Sequence, residues 1–265
     1  MDYSLEFEKP LNELAEKIGM LQQKHHPNPN DAEQLQQLTY DLQCRTEEIY
    51  ANLTSWQTVQ VARHQDRPCA TDYMRLMCED FFELHGDRSF GDDSAILAGP
   101  ANLGGITVIF ICQQTGHSIK EKQYHNFGMS HPEGYRKSYR LMQQAAKFGF
   151  PLICLIDTPG AFPGLEDEER GQSQAIASNL YLMSHLRVPI ISVVIGEGGS
   201  GGALAIGIAD RLLMLEYSIY TVASPEAAAS ILWRDTSFAP QAADAMYISA
   251  RKLAEAKVTD ELIPE

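Results

Sequence analysis

The sequence predicts an α/β fold built from buried strands and covering helices, preceded by a helical arm. Three observations carry this. From about residue 68, short apolar runs rich in β-branched residues alternate with helical stretches. Before that point, apolar residues recur at helical spacing. Two of the apolar runs end in glycine-containing turns, as strands do when they hand over to helices.

The arm comes first. Leu11, Leu14, Ile18 and Leu21 form one stripe, and Leu35, Leu38, Leu42, Ile49 and Leu53 a second. HHPNPND, His25 to Asp31, separates them, so residues 10–64 read as a helical hairpin. Asn30 with Glu33, or Asp31 with Gln34, is the expected capping box of the second helix. The arm is read as a packing or partner-docking element, with domain boundaries at 1–66 and 67–265.

In the second part, Ile106 to Cys112 (ITVIFIC), Leu152 to Ile156, Ile190 to Ile195, Leu212 to Leu215 and Ile219 to Val222 read as strands. Glu133 to Phe148, Gly171 to His185, Gly202 to Ala209, Pro225 to Leu232 and Ala239 to Ala256 read as helices. The acidic run Glu166 to Glu169 suits the first turn of a helix.

Composition excludes several classes. The 265 residues include 44% hydrophobic side chains, enough for a substantial core, and carry a formal charge of -14. That balance disfavours a nucleic-acid partner, which needs a net basic face. The five cysteines, Cys44, Cys69, Cys78, Cys112 and Cys154, are odd in number and never form CxxC. Neither a disulfide framework nor a zinc ribbon is expected, and no metal is assigned to this chain. No apolar run approaches the roughly 20 residues of a membrane span, and the acidic start MDYSLEFEKP lacks a signal core. A cytoplasmic protein without membrane contact is the expectation.

The most informative stretch is GEGGSGGALAIGIADR, Gly196 to Arg211. It fits three patterns at once. Gly196-x-Gly198-x-x-Gly201 matches a dinucleotide fingerprint, with Glu216 as a ribose acid, but no comparable first βαβ unit precedes it. Gly198-x-Ser200-x-Gly202 matches a nucleophile elbow, yet no histidine follows residue 185. A Walker loop fails because no GK[ST] follows. The bland reading is a tight turn whose glycines only allow close packing.

A second turn changes the balance. The strand Leu152 to Ile156 leads into DTPGAFPG, Asp157 to Gly164, about 40 residues earlier. If the two turns are neighbours, their backbone N–H groups converge on one point. Such donors stabilise a developing oxyanion by about 2.7–4 kcal/mol each in hydrolases, and glycine lets the oxygen approach. No side-chain nucleophile is needed.

Taken together, GEGGSGGALAIG, DTPGAFPG, EERGQSQAIA, NFGM, PEGYRK and the SPE…ASILW segment resemble the carboxyltransferase alpha subunit of multisubunit acetyl-CoA carboxylase. The resemblance runs from FEKPLNELAEKI to the final LIPE. It implies a crotonase/ClpP-like spiral of ββα units. It also implies transfer of CO2 from carboxybiotin on a carrier protein to acetyl-CoA, giving malonyl-CoA for fatty acid biosynthesis. The oxyanion donors matching the family pattern are the N–H groups of Gly201 and Gly202, and of Gly160 and Ala161, with Gly198, Gly199 and Ser200 lining the site. The implied partners are a beta subunit that binds acyl-CoA and carries the only zinc, in an α2β2 assembly, and a biotin carboxyl carrier protein. The cofactor then acts as the base, so a lack of histidine or cysteine beside the glycines is expected.

A basic island, Lys120, Lys122, Arg136, Lys137, Arg140 and Lys147, is opposed only by Glu121 and Glu133. It is expected either to attract an anionic substrate or to form a salt-bridged surface. The family pattern GRETKEK with a basic pair is replaced by Gly116-His117-Ser118-Ile119-Lys120-Glu121-Lys122 and Tyr124-His125, and SPEGCASILW by a form with Ala227 and Ala228. The family commonly continues beyond the position of Glu265. These departures keep two alternatives open: a biotin-independent decarboxylase of a malonyl thioester on CoA or acyl carrier protein, and a scaffold subunit whose partner is the catalyst.

Overall fold

The computed structural model describes residues 3–24 and 28–265. Its centre is one sheet of seven strands: β1 (Ile96–Leu103), β2 (Ile106–Gln113), β3 (Leu152–Thr158), β4 (Ile190–Gly199), β5 (Arg211–Leu215), β6 (Ile219–Thr221) and β7 (Glu261–Ile263). The order is β1-β2-β3-β4-β5-β7, with β6 also pairing β4. Only β1 and β2 are antiparallel; the other pairs are parallel. Gly104 and Gly105, both at positive φ, make the two-residue hairpin between β1 and β2, the turn whose twist suits paired strands. The parallel neighbours β2, β3 and β4 are joined through helices, as parallel pairing demands.

Alternation along the strands sorts the core into two layers. Ile109, Ile111, Cys154, Ile156, Ile190, Val194 and Met214 face Leu141, Met142 and Ala145 of the helix Pro132–Phe148, together with Met183 and Ile206. Val108, Phe110, Cys112, Ile153, Leu155, Ile195 and Leu215 face the opposite way, against Ala70 and Met74 of the helix Ala70–Met77. Burial on both faces explains why these strands read as continuous apolar runs. The strands β1 and β7 and the helix Ala70–Met77 had no such run to mark them.

In the arm, the helices Lys9–Gln22 and Pro29–Ala51 pack on each other, with Leu11 fully buried. The capping box falls two positions before the first expected pair and three before the second. Asn28 is the N-cap, and its side chain and that of Asp31 each accept the other's backbone N–H at 2.9 Å. Pro29 takes the first helical position, which its fixed φ favours. Residues 25–27 of the expected break lie outside the described residues. A third helix, Ser55–Ala62, leaves the hairpin and joins the body: Val59 and Ala62 pack with Ile219, Ala243 and Ile248. Among the described residues no helix is long and apolar enough to cross a membrane.

Two helical expectations shorten. The helix after β4 starts at Ser200, directly after the strand's end at Gly199, and stops at Leu204, where the chain passes into turns. The stretch from Ala239 divides into Ala239–Ala245 and Ala250–Glu255.

Candidate active site

The carboxyl ends of β3 and β4 lie side by side, with Thr158 in register with Gly198. The two glycine turns therefore meet, as the sequence reading required. Their approach leaves no room for side chains. A Cβ on Gly199 would fall 2.2 Å from the carbonyl oxygen of Pro159, and one on Gly202 would fall 2.5 Å from the carbonyl carbon of Gly160 and 2.6 Å from the nitrogen of Ala161. Gly201 is different: its added Cβ would meet only Ile176, at 3.8 Å. Gly201 and Gly202 occupy the first turn of the helix Ser200–Leu204, where backbone N–H groups have no partner inside the helix.

Ser200 holds a positive φ of 56° at the strand-to-helix corner. This is the sharp corner of a nucleophile elbow, but no histidine bonds the Ser200 hydroxyl among the described residues. Glu216, the ribose acid of the dinucleotide alternative, is paired with Arg251 at 2.7 Å.

One of the expected donors is turned away. The Gly160 N–H donates to Thr158 Oγ1 at 3.1 Å, and that hydroxyl donates to the Gly160 carbonyl at 2.7 Å. The loop around Gly160 is thus held by its own threonine, which takes the Gly160 N–H out of the expected donor set.

Gln113, at the end of β2, ties the turns together. Its Nε2 donates to the Gly202 carbonyl at 2.8 Å, and its Oε1 accepts the Asp157 N–H at 3.2 Å. Asp157 in turn accepts the Glu197 N–H at 3.0 Å and the Thr115 hydroxyl at 3.0 Å. Burial pushes the Asp157 carboxyl up to about 6, against these two hydrogen bonds. Neither residue was singled out from sequence; the available signal was an amide at the polar end of a buried strand.

Two hollows flank the turns. A polar one of about 220 Å³ is lined by Arg63, His64, Arg67, Thr115, Lys122 and Asp157, among others. Arg63 makes a two-pronged pair with Glu197 at 2.6 and 2.7 Å and a further pair with Glu226 at 2.7 Å. Arg67 donates to the Ile195 carbonyl at 2.7 Å and pairs with Glu265 at 2.9 Å. The second hollow, of about 590 Å³, is mostly apolar and includes Ser200, Gly201, Leu204, Tyr220, Val222 and Met246.

The basic island is not one patch. Lys122 faces the polar hollow, and among the described residues it makes no ion pair; Lys120 is exposed. Lys137 is fully buried, with its Nζ 2.8 Å from Asp92 and 3.1 Å from Glu83. Arg136 pairs with Asp87 at 2.8 Å and Glu133 at 2.7 Å. Both therefore depart from the expectation of substrate contact. The helix Pro132–Phe148 packs that side on the sheet, and a cation buried there needs fixed anions. The acidic run does open the short helix Leu165–Glu169, and Asp167 within it bonds His131 Nδ1 at 2.5 Å.

An α/β body with two facing backbone turns at the carboxyl ends of adjacent strands is of the crotonase-like fold class. Solved structures agree on the fold. The chain is similar to transcarboxylase 12S (TM-score 0.66, 20% identity, covering 77% of this chain and 40% of that one). It is also similar to the beta subunit of P. aeruginosa geranyl-CoA carboxylase (TM-score 0.62, 16% identity, 80% and 42%). Residues 4–265 match the family described as acetyl co-enzyme A carboxylase carboxyltransferase-like. Proteins named acetyl-coenzyme A carboxylase carboxyl transferase subunit alpha are 53% identical in Listeria monocytogenes, over 100% of this chain and 84% of the relative. In Heliobacterium modesticaldum the identity is 55%, over 100% and 79%. The chain belongs to the acetyl-CoA carboxylase carboxyltransferase alpha-subunit family.

Proposed function

We propose that this chain, with a beta-type partner, transfers a carboxyl group between biotin on a carrier protein and acetyl-CoA, and that its two glycine turns are the oxyanion-stabilising part of that site. The observation that carries the reading is the contact of Gly202 with the Gly160–Ala161 peptide. It supports a reading in which the turns after β3 and β4 act together, because their backbones touch with no side chain between them. Biotin supplies a ureido group that carries the carboxyl and whose nitrogen serves as base. The chain's own contribution is electrostatic. The N–H groups of Gly201, Gly202 and Ala161 are neutral and rigid, so they stabilise charge developing on a ureido or thioester oxygen without reorganising. Gln113 holds the two turns in register. Gly198, Gly199 and Ser200 shape the approach, and Lys122 offers a cation to an anionic substrate group.

The apolar hollow beside Gly201, with exposed Val222 and half-exposed Leu204 along it, supports coverage by the partner, which completes the acyl-CoA half of the site and holds its own zinc. The reading includes an α2β2 assembly and a biotin carboxyl carrier protein as donor. The cysteines are all free, which suits a reducing cytoplasm.

The test is turnover of malonyl-CoA by this chain co-purified with its partner, with biocytin supplied or omitted. Biocytin-dependent formation of acetyl-CoA is the expected result. Release of CO2 without biocytin would replace this reading by a thioester decarboxylase. The curated relatives, all named as carboxyl transferase subunits, do not favour that alternative.

A further inference from the structure

Away from the glycine turns, three metal-ligating side chains converge at the start of the helix Ala70–Met77. Cys69 Sγ lies 3.2 Å from Asp72 Oδ2 and 3.6 Å from His117 Nε2, and His117 Nε2 lies 2.7 Å from the same Asp72 oxygen. We propose that Cys69, Asp72 and His117 form a site for a zinc-class divalent transition metal.

The geometry distinguishes a metal site from a catalytic relay. A relay places the thiol on one imidazole nitrogen and the carboxylate on the other. Here both meet Nε2, so the three donor atoms form a closed triangle around one point. Tetrahedral zinc with metal–ligand distances of about 2.0–2.3 Å separates its ligands by roughly 3.3–3.6 Å. The two distances from Cys69 already approach that range. The His117–Asp72 contact is a hydrogen bond that must open slightly, which their partial exposure (46% and 27%) allows.

The surroundings suit the same role. Gln114 Nε2 donates to Cys69 Sγ at 3.0 Å, an outer hydrogen bond that orients the sulfur. Cys69 is only 2% exposed, whereas Asp72 and His117 line a surface hollow with Asp66, Pro68, Tyr73 and Leu76. That hollow is the entry path, and it leaves the fourth position to water. A thiolate, an imidazole and one carboxylate select zinc over magnesium or calcium. On binding, the sulfur–metal bond forms as the thiol proton passes to solvent, with no change of oxidation state. The site does not depend on the carboxyltransferase reading.

The probe is Co2+ titrated into the full chain without its partner, carrying Cys44→Ser to remove the exposed thiol. One equivalent should bind with a thiolate-to-cobalt absorption band, and Zn2+ should displace it. Cys69→Ser should abolish the band. His117→Gln, at an exposed position, should weaken binding about tenfold or more. A missing band, a band that survives Cys69→Ser, or an affinity indifferent to His117→Gln would each overturn the proposal.

Discussion

Gly202 lies in the helix that follows β4 and Gly160 in the loop that follows β3, yet a single methyl on Gly202 would sit 2.5 Å from the Gly160 carbonyl carbon. Backbone on both sides of the contact means that nothing can rotate away. The neighbouring Gly201 has no such obstacle, and this difference separates structural from chemical roles within one glycine run.

Gly202→Ala should therefore lose about 2–4 kcal/mol of stability through overpacking. Gly201→Ala should stay within about 1 kcal/mol of wild type in urea unfolding. If substrate oxygen approaches Gly201, Gly201→Val should lower turnover of the assembled enzyme by about tenfold or more. Unchanged turnover in a folded Gly201→Val would favour a scaffold subunit.

Gln113 is buried and bonds the backbone of both turns. Gln113→Leu keeps volume but strands a carbonyl and an N–H, at about 1–3 kcal/mol each. Turnover should fall more than substrate affinity, because the donors lose alignment rather than contact. A change confined to KM would contradict the positioning role.

Asp157 gives a pH signature. Its carboxyl titrates near 6 in the folded protein against 3.8 as its ordinary value. Because the folded value is the higher one, the favourable contribution is complete below about pH 4 and is lost as pH rises through about 6. Asp157→Asn removes this dependence. The unfolding free energy of the variant relative to wild type should thus grow between pH 4 and pH 7, by about 3 kcal/mol at most. Parallel pH profiles would show that the carboxyl is not perturbed.

The two lysines should separate cleanly. Lys122→Ala should leave stability unchanged and raise KM for the anionic substrate, with the difference shrinking in high salt. Lys137→Ala should instead destabilise by about 2–4 kcal/mol, since it leaves Asp92 and Glu83 without their buried cation. Thermal unfolding and salt-dependent kinetics of both variants test this together.

The buried strands were legible in sequence because parallel strands covered on both faces must be apolar throughout, as ITVIFIC is. The two glycine turns were legible for a related reason: only glycine tolerates backbone meeting backbone, so a dense run such as Gly196 to Gly202 marks a close approach even when its partner is unknown. Short edge elements such as β7 escaped, because three residues carry no readable period.

What the amino-acid sequence determined by itself was thus the buried central strands, the helical arm, the glycine turns and the family pattern they spell. Only the tertiary structure decided which groups those turns meet. It put Gln113 across both turns, turned the Gly160 N–H onto Thr158, buried Lys137 while leaving Lys122 open, and brought Cys69 to His117 across 48 residues. The physical reason is that hydrophobic periodicity is a local property of the chain, whereas hydrogen-bond partners and ion pairs are chosen by strand order and register, which bring together residues that no spacing rule connects.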